Sequence, residues 1–204
     1  FLGFISYRRS DGKALAQWLR GRLTGFTPPH ELKARIDARD QSVGGSGNRV
    51  FFDLSYQRPN VDFWEEHLGA SLCRSRTLLL VQTPSVFERL DSGGSNWCER
   101  EIETFLNFCG DPSRILVVMG PGAPIDRFPA PLASISSRWD WIDLRFFSSS
   151  PLRRLQHAHE YDAQVAKILA KIYDIPDGEL PTLNREFARE RARGVEIDWK
   201  RTKE

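Results

Sequence analysis

The sequence predicts an α/β fold of flavodoxin-like type, a five-stranded parallel sheet in the order 2-1-3-4-5 with helices on both faces. Three observations predict it. Five short apolar runs, residues 2–7, 50–53, 77–82, 115–119 and 139–144, are mostly continuous rather than alternating, as strands covered on both faces are. Longer segments of helical period stand between them, the alternation expected of crossover connections in a parallel sheet. A chain of 204 residues, 40% hydrophobic and 27% charged, suits one well-buried domain with a tail and excludes general disorder. Phe4, Phe51, Leu79 and Val117 are the expected centre of the core.

Taken in order, residues 13–23 place Leu15, Trp18, Leu19 and Leu23 on one helical face. Residues 28–48, with Gly44, Gly45, Ser46 and Gly47 near their end, read as a flexible surface insertion before the second strand. A helix over 62–72 aligns Phe63, His67, Leu68 and Leu72, and one over 97–108 aligns Trp97, Glu101, Phe105 and Phe108. The stretch after the fourth strand holds Pro121, Pro124, Pro129 and Pro131 and is expected to be loop with little helix. The last helix of the domain, about 161–173, carries Val165, Ile168, Leu169 and Ile172. The domain is thus placed at 1–176. Residues 177–204 change character: Arg185, Glu186, Arg189, Glu190, Arg191 and Arg193 describe a charged linker helix with only Leu183 and Phe187 on its apolar side, leading toward a further module.

Composition narrows the partners. A net charge of +2 is too small to make nucleic acid the main ligand. The apolar run at 77–81 is far too short to span a bilayer, so no membrane is expected. No basic-then-apolar leader opens the chain, and its first residue, Phe1, suggests a start inside a longer polypeptide. Cys73, Cys98 and Cys109 are odd in number and lack CxxC spacing, which argues against disulfides and zinc and for a reducing cytoplasm. Cys73 and Cys109 sit among apolar residues and read as core.

In open α/β sheets ligands bind beyond the carboxyl ends of the strands, where the strand order reverses. That rule selects residues 7–11 after the first strand, 53–62 after the second, Thr83-Pro84-Ser85 after the third and Gly120-Pro121-Gly122 after the fourth. Trp97 and Glu101, four apart at the start of a helix, share a face and could grip a flat cationic heterocycle and its sugar. They could equally be a core tryptophan and a carboxylate paired with Arg100 or Arg8. Glu99 stands off that face, so its loss is expected to be silent. His157 and His159, two apart, cannot share a helical face and are read as surface. Gly120-Pro121-Gly122 lacks the spacing of a phosphate loop. A phospho-receiver reading fails because Arg8-Arg9 stand where an acidic pair is needed, and Thr83 where the acceptor would follow.

Four motifs together resemble the Toll/interleukin-receptor (TIR) domain family. Phe4-Ile5-Ser6-Tyr7-Arg8-Arg9 is similar to its first signature box. Val50-Phe51-Phe52-Asp53 resembles the second strand leading into the BB loop, and Leu78-Leu79-Leu80-Val81-Gln82-Thr83-Pro84 the third strand and its turn. Asn96-Trp97-Cys98-Glu99-Arg100-Glu101-Ile102 resembles the tryptophan-to-glutamate motif of NAD-cleaving members. The order and spacing match over roughly residues 1–175. The resemblance implies Glu101 as catalytic residue and Tyr7, Arg8, Arg9, Trp97 and Phe63 as NAD-binding residues. It implies NAD as substrate rather than cofactor, self-association through TIR–TIR contacts including the 54–62 loop, and a bacterial anti-phage effector activated by oligomerisation through a fused sensor or oligomerisation module. Three departures stand out: the length of 28–48, Pro59-Asn60 where the BB loop usually has glycine, and the charged tail after 176.

A single carboxylate suffices for that chemistry. Nicotinamide is already cationic in NAD and leaves neutral, so no general acid is needed, and one carboxylate can stabilise the oxocarbenium-like transition state. Guanidinium groups of Arg8 and Arg9 match pyrophosphate oxygens, and Trp97 or Phe63 can stack on the heterocycle. No metal is implied, since no ligand cluster has suitable spacing. The alternative is a non-catalytic TIR adaptor acting through protein contact alone, which has no chemical reason to keep Arg8-Arg9 with Trp97 and Glu101.

Overall fold

Side chains alternate across a strand, so a strand buried on both faces must be apolar at every position. The third and fourth strands come close to that demand: every residue of Thr77–Gln82 (β3) and Ile115–Met119 (β4) is buried, and only the two ends of β3, Thr77 and Gln82, are polar. With β1 (Gly3–Tyr7) they are the inner strands of an all-parallel sheet, order β2-β1-β3-β4-β5, with β2 at Val50–Phe51 and β5 at Ile142–Asp143 on its edges. The computed structural model describes residues 1–45, 47, 49–52, 68–88, 96–133 and 141–201, with side chains through 193. Residues 53, 139 and 140, expected in strands, and Phe63 with the rest of 53–67 lie outside the described residues.

The period of two divides the sheet into two cores. Ile5, Leu79, Val81, Leu116 and Val118 face one layer, built by helices α1 (Lys13–Thr24), α2 (Lys33–Gln41), α7 (Ala158–Ile172) and α8 (Leu180–Arg201). Phe4, Leu78, Leu80, Ile115, Val117 and Met119 face the other, covered by α3 (Gly69–Cys73), α4 (Trp97–Cys109) and the short α5 (Ala130–Ala133). A further short helix, α6 (Pro151–Gln156), precedes α7. Phe4, Leu79 and Val117 are buried as expected, whereas Phe51 on the edge strand β2 is half-buried. No helix among the described residues is long and apolar enough to cross a membrane.

Four sequence expectations are corrected. The 28–48 segment is not a loose insertion: α2 buries Ile36 completely, and its last turn buries Asp40 in a bidentate pair with Arg49. The charged tail is not a solvated linker over its first half. Leu183 and Phe187, one helical turn apart, are fully buried, Phe187 lies 5.6 Å from Phe26, and Arg22 meets the buried Asp162 carboxylate at 2.6 Å beneath it. Cys98 is the buried cysteine, while Cys73 and Cys109 near helix ends are half-buried. Phe108 is 66% exposed, because the stripe of α4 that meets the sheet runs through Cys98, Ile102 and Phe105. His157 and His159 are exposed, as read from their spacing.

Candidate functional site

The strand order reverses at β1, which pairs with β2 on one side and with β3 on the other. Beyond its carboxyl end the chain continues as Arg8 to Gly12. Strand alternation then decides which side chains go where. Phe4 and Ser6 point toward α4, and Ile5 and Tyr7 point to the opposite layer. Tyr7 accordingly stacks on Phe52, with ring centroids 5.0 Å apart and planes within 7°. It therefore does not share a face with Trp97 and Glu101. Arg8, the next residue, has 19% of its side chain exposed, and Arg9 is exposed.

The start of α4 is fixed by a capping box. The Asn96 side chain accepts from the Glu99 N–H at 3.0 Å, and the Glu99 carboxylate accepts from the Asn96 N–H at 3.3 Å. The Asn96 amide also donates to the Val86 carbonyl at 2.6 Å, which ties the helix to the turn after β3. Asn96 is buried. Such a cap stabilises a helix by about 1 kcal/mol, and here it also sets the height of Trp97 and Glu101 over the strand ends. Glu99 thus has a structural task, contrary to the expectation that it is dispensable. Asn followed three residues later by Glu was the sequence signal for it.

Cys98, fully buried on the same helix as Glu101, feels the charges of the candidate site. Burial and then the neighbouring Glu101 carboxylate push its thiol up to about 12, against smaller lowering effects of the Ser6 hydroxyl and the Arg8 guanidinium. Glu101 and Arg8, 93 residues apart in the chain, therefore act on one buried sulfur with opposite charge. The thiol stays protonated near neutrality and is no nucleophile. Glu101 itself is 8% exposed. A carboxylate buried so far is expensive unless an opposite charge or donors attend it. Trp97 is half-buried against the α4-side core, and the Arg100 guanidinium lies 5.4 Å from its ring centroid. Arg8 also approaches Glu88 at 4.0 Å, a loose contact to a carboxylate that is 65% exposed and thus of little energetic weight.

Around this point the strand-end loops are laced together. Asp11 accepts from the Thr83 hydroxyl at 2.6 Å and from the Ser85 N–H at 3.0 Å, and the Ser10 hydroxyl donates to that of Ser85 at 2.7 Å. The buried Gln82 amide donates to the carbonyls of Pro124 and Arg127, holding the proline-rich connection beside β4. Period and spacing gave no hint of these contacts. An open cleft of about 420 Å³, lined in part by Phe146, Arg153, His157 and Tyr161, lies beyond β5, and none of the site residues lines it. Among the described residues no three His, Cys, Asp or Glu side chains gather in a way that could hold a metal ion.

No family model matches this chain, and no curated protein matches it. The likeness to TIR domains is therefore carried by the four motifs alone.

Proposed function

We propose that the chain is a TIR domain that hydrolyses the nicotinamide–ribose bond of NAD, with Glu101 as its catalytic residue. The observation that supports this best is the buried carboxylate of Glu101 near the start of α4, on the sheet face that holds Phe4, with Arg8 directly after the carboxyl end of β1, where the sheet order reverses. In the proposed reaction the C–N bond to nicotinamide breaks and the ring departs neutral. Water adds to the ribose carbon and loses a proton, giving ADP-ribose. Glu101 stabilises the positive charge that develops on the sugar, and its burial strengthens that interaction. Arg8 and Arg9 bind the pyrophosphate. Self-association through residues 54–62, a fused sensor or oligomerisation module, a cytoplasmic setting and a role in anti-phage defence complete the proposal.

One observation favours the second reading, a non-catalytic adaptor. Arg100 lies over the Trp97 ring, so that an aromatic face meant for nicotinamide carries a cation of the chain's own. Nicotinamide release under forced clustering separates the two. An adaptor releases none, and the enzyme releases it in a manner that depends on Glu101.

A further inference from the structure

We propose that Asp11 is a positioning residue, whose carboxylate clasps the turn after β3 and so sets where Arg8 and Arg9 present their guanidinium groups to a pyrophosphate. This rests on the NAD reading above. The connection from β1 to α1 is only Arg8-Arg9-Ser10-Asp11-Gly12, and both of its ends are rigid. Tyr7 is paired in register with Val81, and α1 is anchored by the buried Leu15 and Ala16.

Between those anchors the backbone closes on itself. The Gly12 N–H donates to the Arg8 carbonyl at 2.8 Å, and a Cβ on Gly12 would stand 2.8 Å from that same oxygen. The turn is therefore wrapped around the Arg8 backbone. Its remaining freedom is to swing as a unit away from β3, and the bonds of Ser10 and Asp11 to Thr83 and Ser85 oppose that motion. The anchoring side is firm, since Thr83 and Ser85 are both buried.

The chemistry calls for an acid and not merely a polar residue. Both carboxylate oxygens accept, one from a hydroxyl and the other from a backbone N–H, whereas an asparagine has one acceptor oxygen and keeps both contacts only if the Thr83 hydroxyl turns from donor to acceptor and gives up its own acceptor. A carboxylate beside two arginines also works against anion binding by its charge, so its presence there is explained by geometry. Burial acts to raise the acid's pKa, yet the bonds from Thr83 and Ser85 outweigh it and hold the carboxyl below its ordinary range. The clasp is thus closed at neutral pH.

The test is calorimetric titration of ADP-ribose, which carries the pyrophosphate, into the wild-type chain, Asp11→Ala, Asp11→Asn, Thr83→Val, Thr83→Ser and the Asp11→Ala/Thr83→Val pair. Steady-state kinetics with NAD run alongside. Asp11→Ala and Thr83→Val should each weaken ADP-ribose binding tenfold or more. The pair should be no worse than either alone, Asp11→Asn should fall between, and Thr83→Ser, which keeps the hydroxyl, should restore binding. KM for NAD should rise more than kcat falls, a split that general loosening of the fold does not produce. Amide exchange should speed up at Ser85 and stay unchanged in β4. Where Asp11→Ala fails to fold, the near-isosteric Thr83→Val carries the test. ADP-ribose bound equally by wild type and Thr83→Val overturns the clasp and leaves the NAD reading standing. A wild type that binds neither ADP-ribose nor NAD overturns both.

Discussion

Replacing Asp40 by alanine decides whether residues 28–48 belong to the domain or merely decorate it. The Asp40 carboxylate takes the Arg49 Nε at 3.0 and 3.1 Å, the Arg49 Nη2 at 2.6 Å and the Tyr173 hydroxyl at 2.9 Å. Asp40 and Arg49 are each 5% exposed. Removing the acid leaves the buried guanidinium, among the described residues, with the Phe26 carbonyl at 2.6 Å, that of Thr24 at 3.4 Å and the more distant charge of Asp37. Breaking one side of a buried ion pair costs about 3–5 kcal/mol, because the remaining charge is left uncompensated. In a chain of this size each kcal/mol lowers the melting temperature by about 2–4 °C, so a fall of roughly 10 °C or more is expected. Urea denaturation and calorimetry provide the measure. An apolar triple replacement, Asp40→Leu with Arg49→Met and Tyr173→Phe, should recover much of the loss, since no charge then stays buried. A loss under about 1 kcal/mol for Asp40→Ala would refute the reasoning, for that is the cost of breaking a surface pair.

Two further outcomes follow from the same contacts. Burial raises the Tyr173 phenol above its ordinary value, and the nearby Asp40 charge reinforces this against the pull of Arg49. The unfolded chain then ionises first, so the stability held below about pH 10 should drain as pH climbs toward the folded value. Urea midpoints measured up the alkaline range should fall less steeply in Tyr173→Phe, and equal slopes would count against a buried phenol. At pH 8 a thiol held near 12 has about a thousandth of the thiolate of an ordinary cysteine, so Cys98 should resist alkylation in the native protein far longer than Cys73 or Cys109. Peptide mapping of the labelled thiols reads this, and modification of Cys98 at the rate of Cys73 would contradict its burial in the α4-side core.

What the sequence made legible is what period and composition encode. β3 and β4 could be bounded to the residue because strands buried on both faces are continuous apolar runs, interrupted in β3 only at its ends by Thr77 and Gln82. The start of α4 was legible for the same kind of reason, its cap being local. The packing of α2 was not, since its single buried aliphatic residue and one buried acid leave no amphipathic pattern. In α8 the charges hide Leu183 and Phe187, and partners as distant as Phe26 and Asp162 cannot be deduced from spacing. The site divides in the same way. Glu101 and Arg8 were placed together by motif, and the charges of both act on the buried Cys98 thiol. Tyr7 was grouped with them, although strand alternation alone sends it to the other face. The Asp11 clasp escaped notice because it joins residues more than 70 apart through polar side chains that look like ordinary loop composition.

The most direct measurement is nicotinamide release from NAD by the clustered wild-type chain and by clustered Glu101→Gln, with circular dichroism to confirm that both are folded. Glutamine keeps the shape of the side chain and removes only the charge that would face the developing cation. Turnover should fall by about a hundredfold or more, the scale of losing one preorganised transition-state contact, while the affinity for NAD changes little. Glu103→Gln is the control, since Glu103 is exposed on α4 and Glu99 belongs to the helix cap. Equal turnover by wild type and Glu101→Gln would contradict the catalytic role, and no release from either would assign the chain to the adaptors.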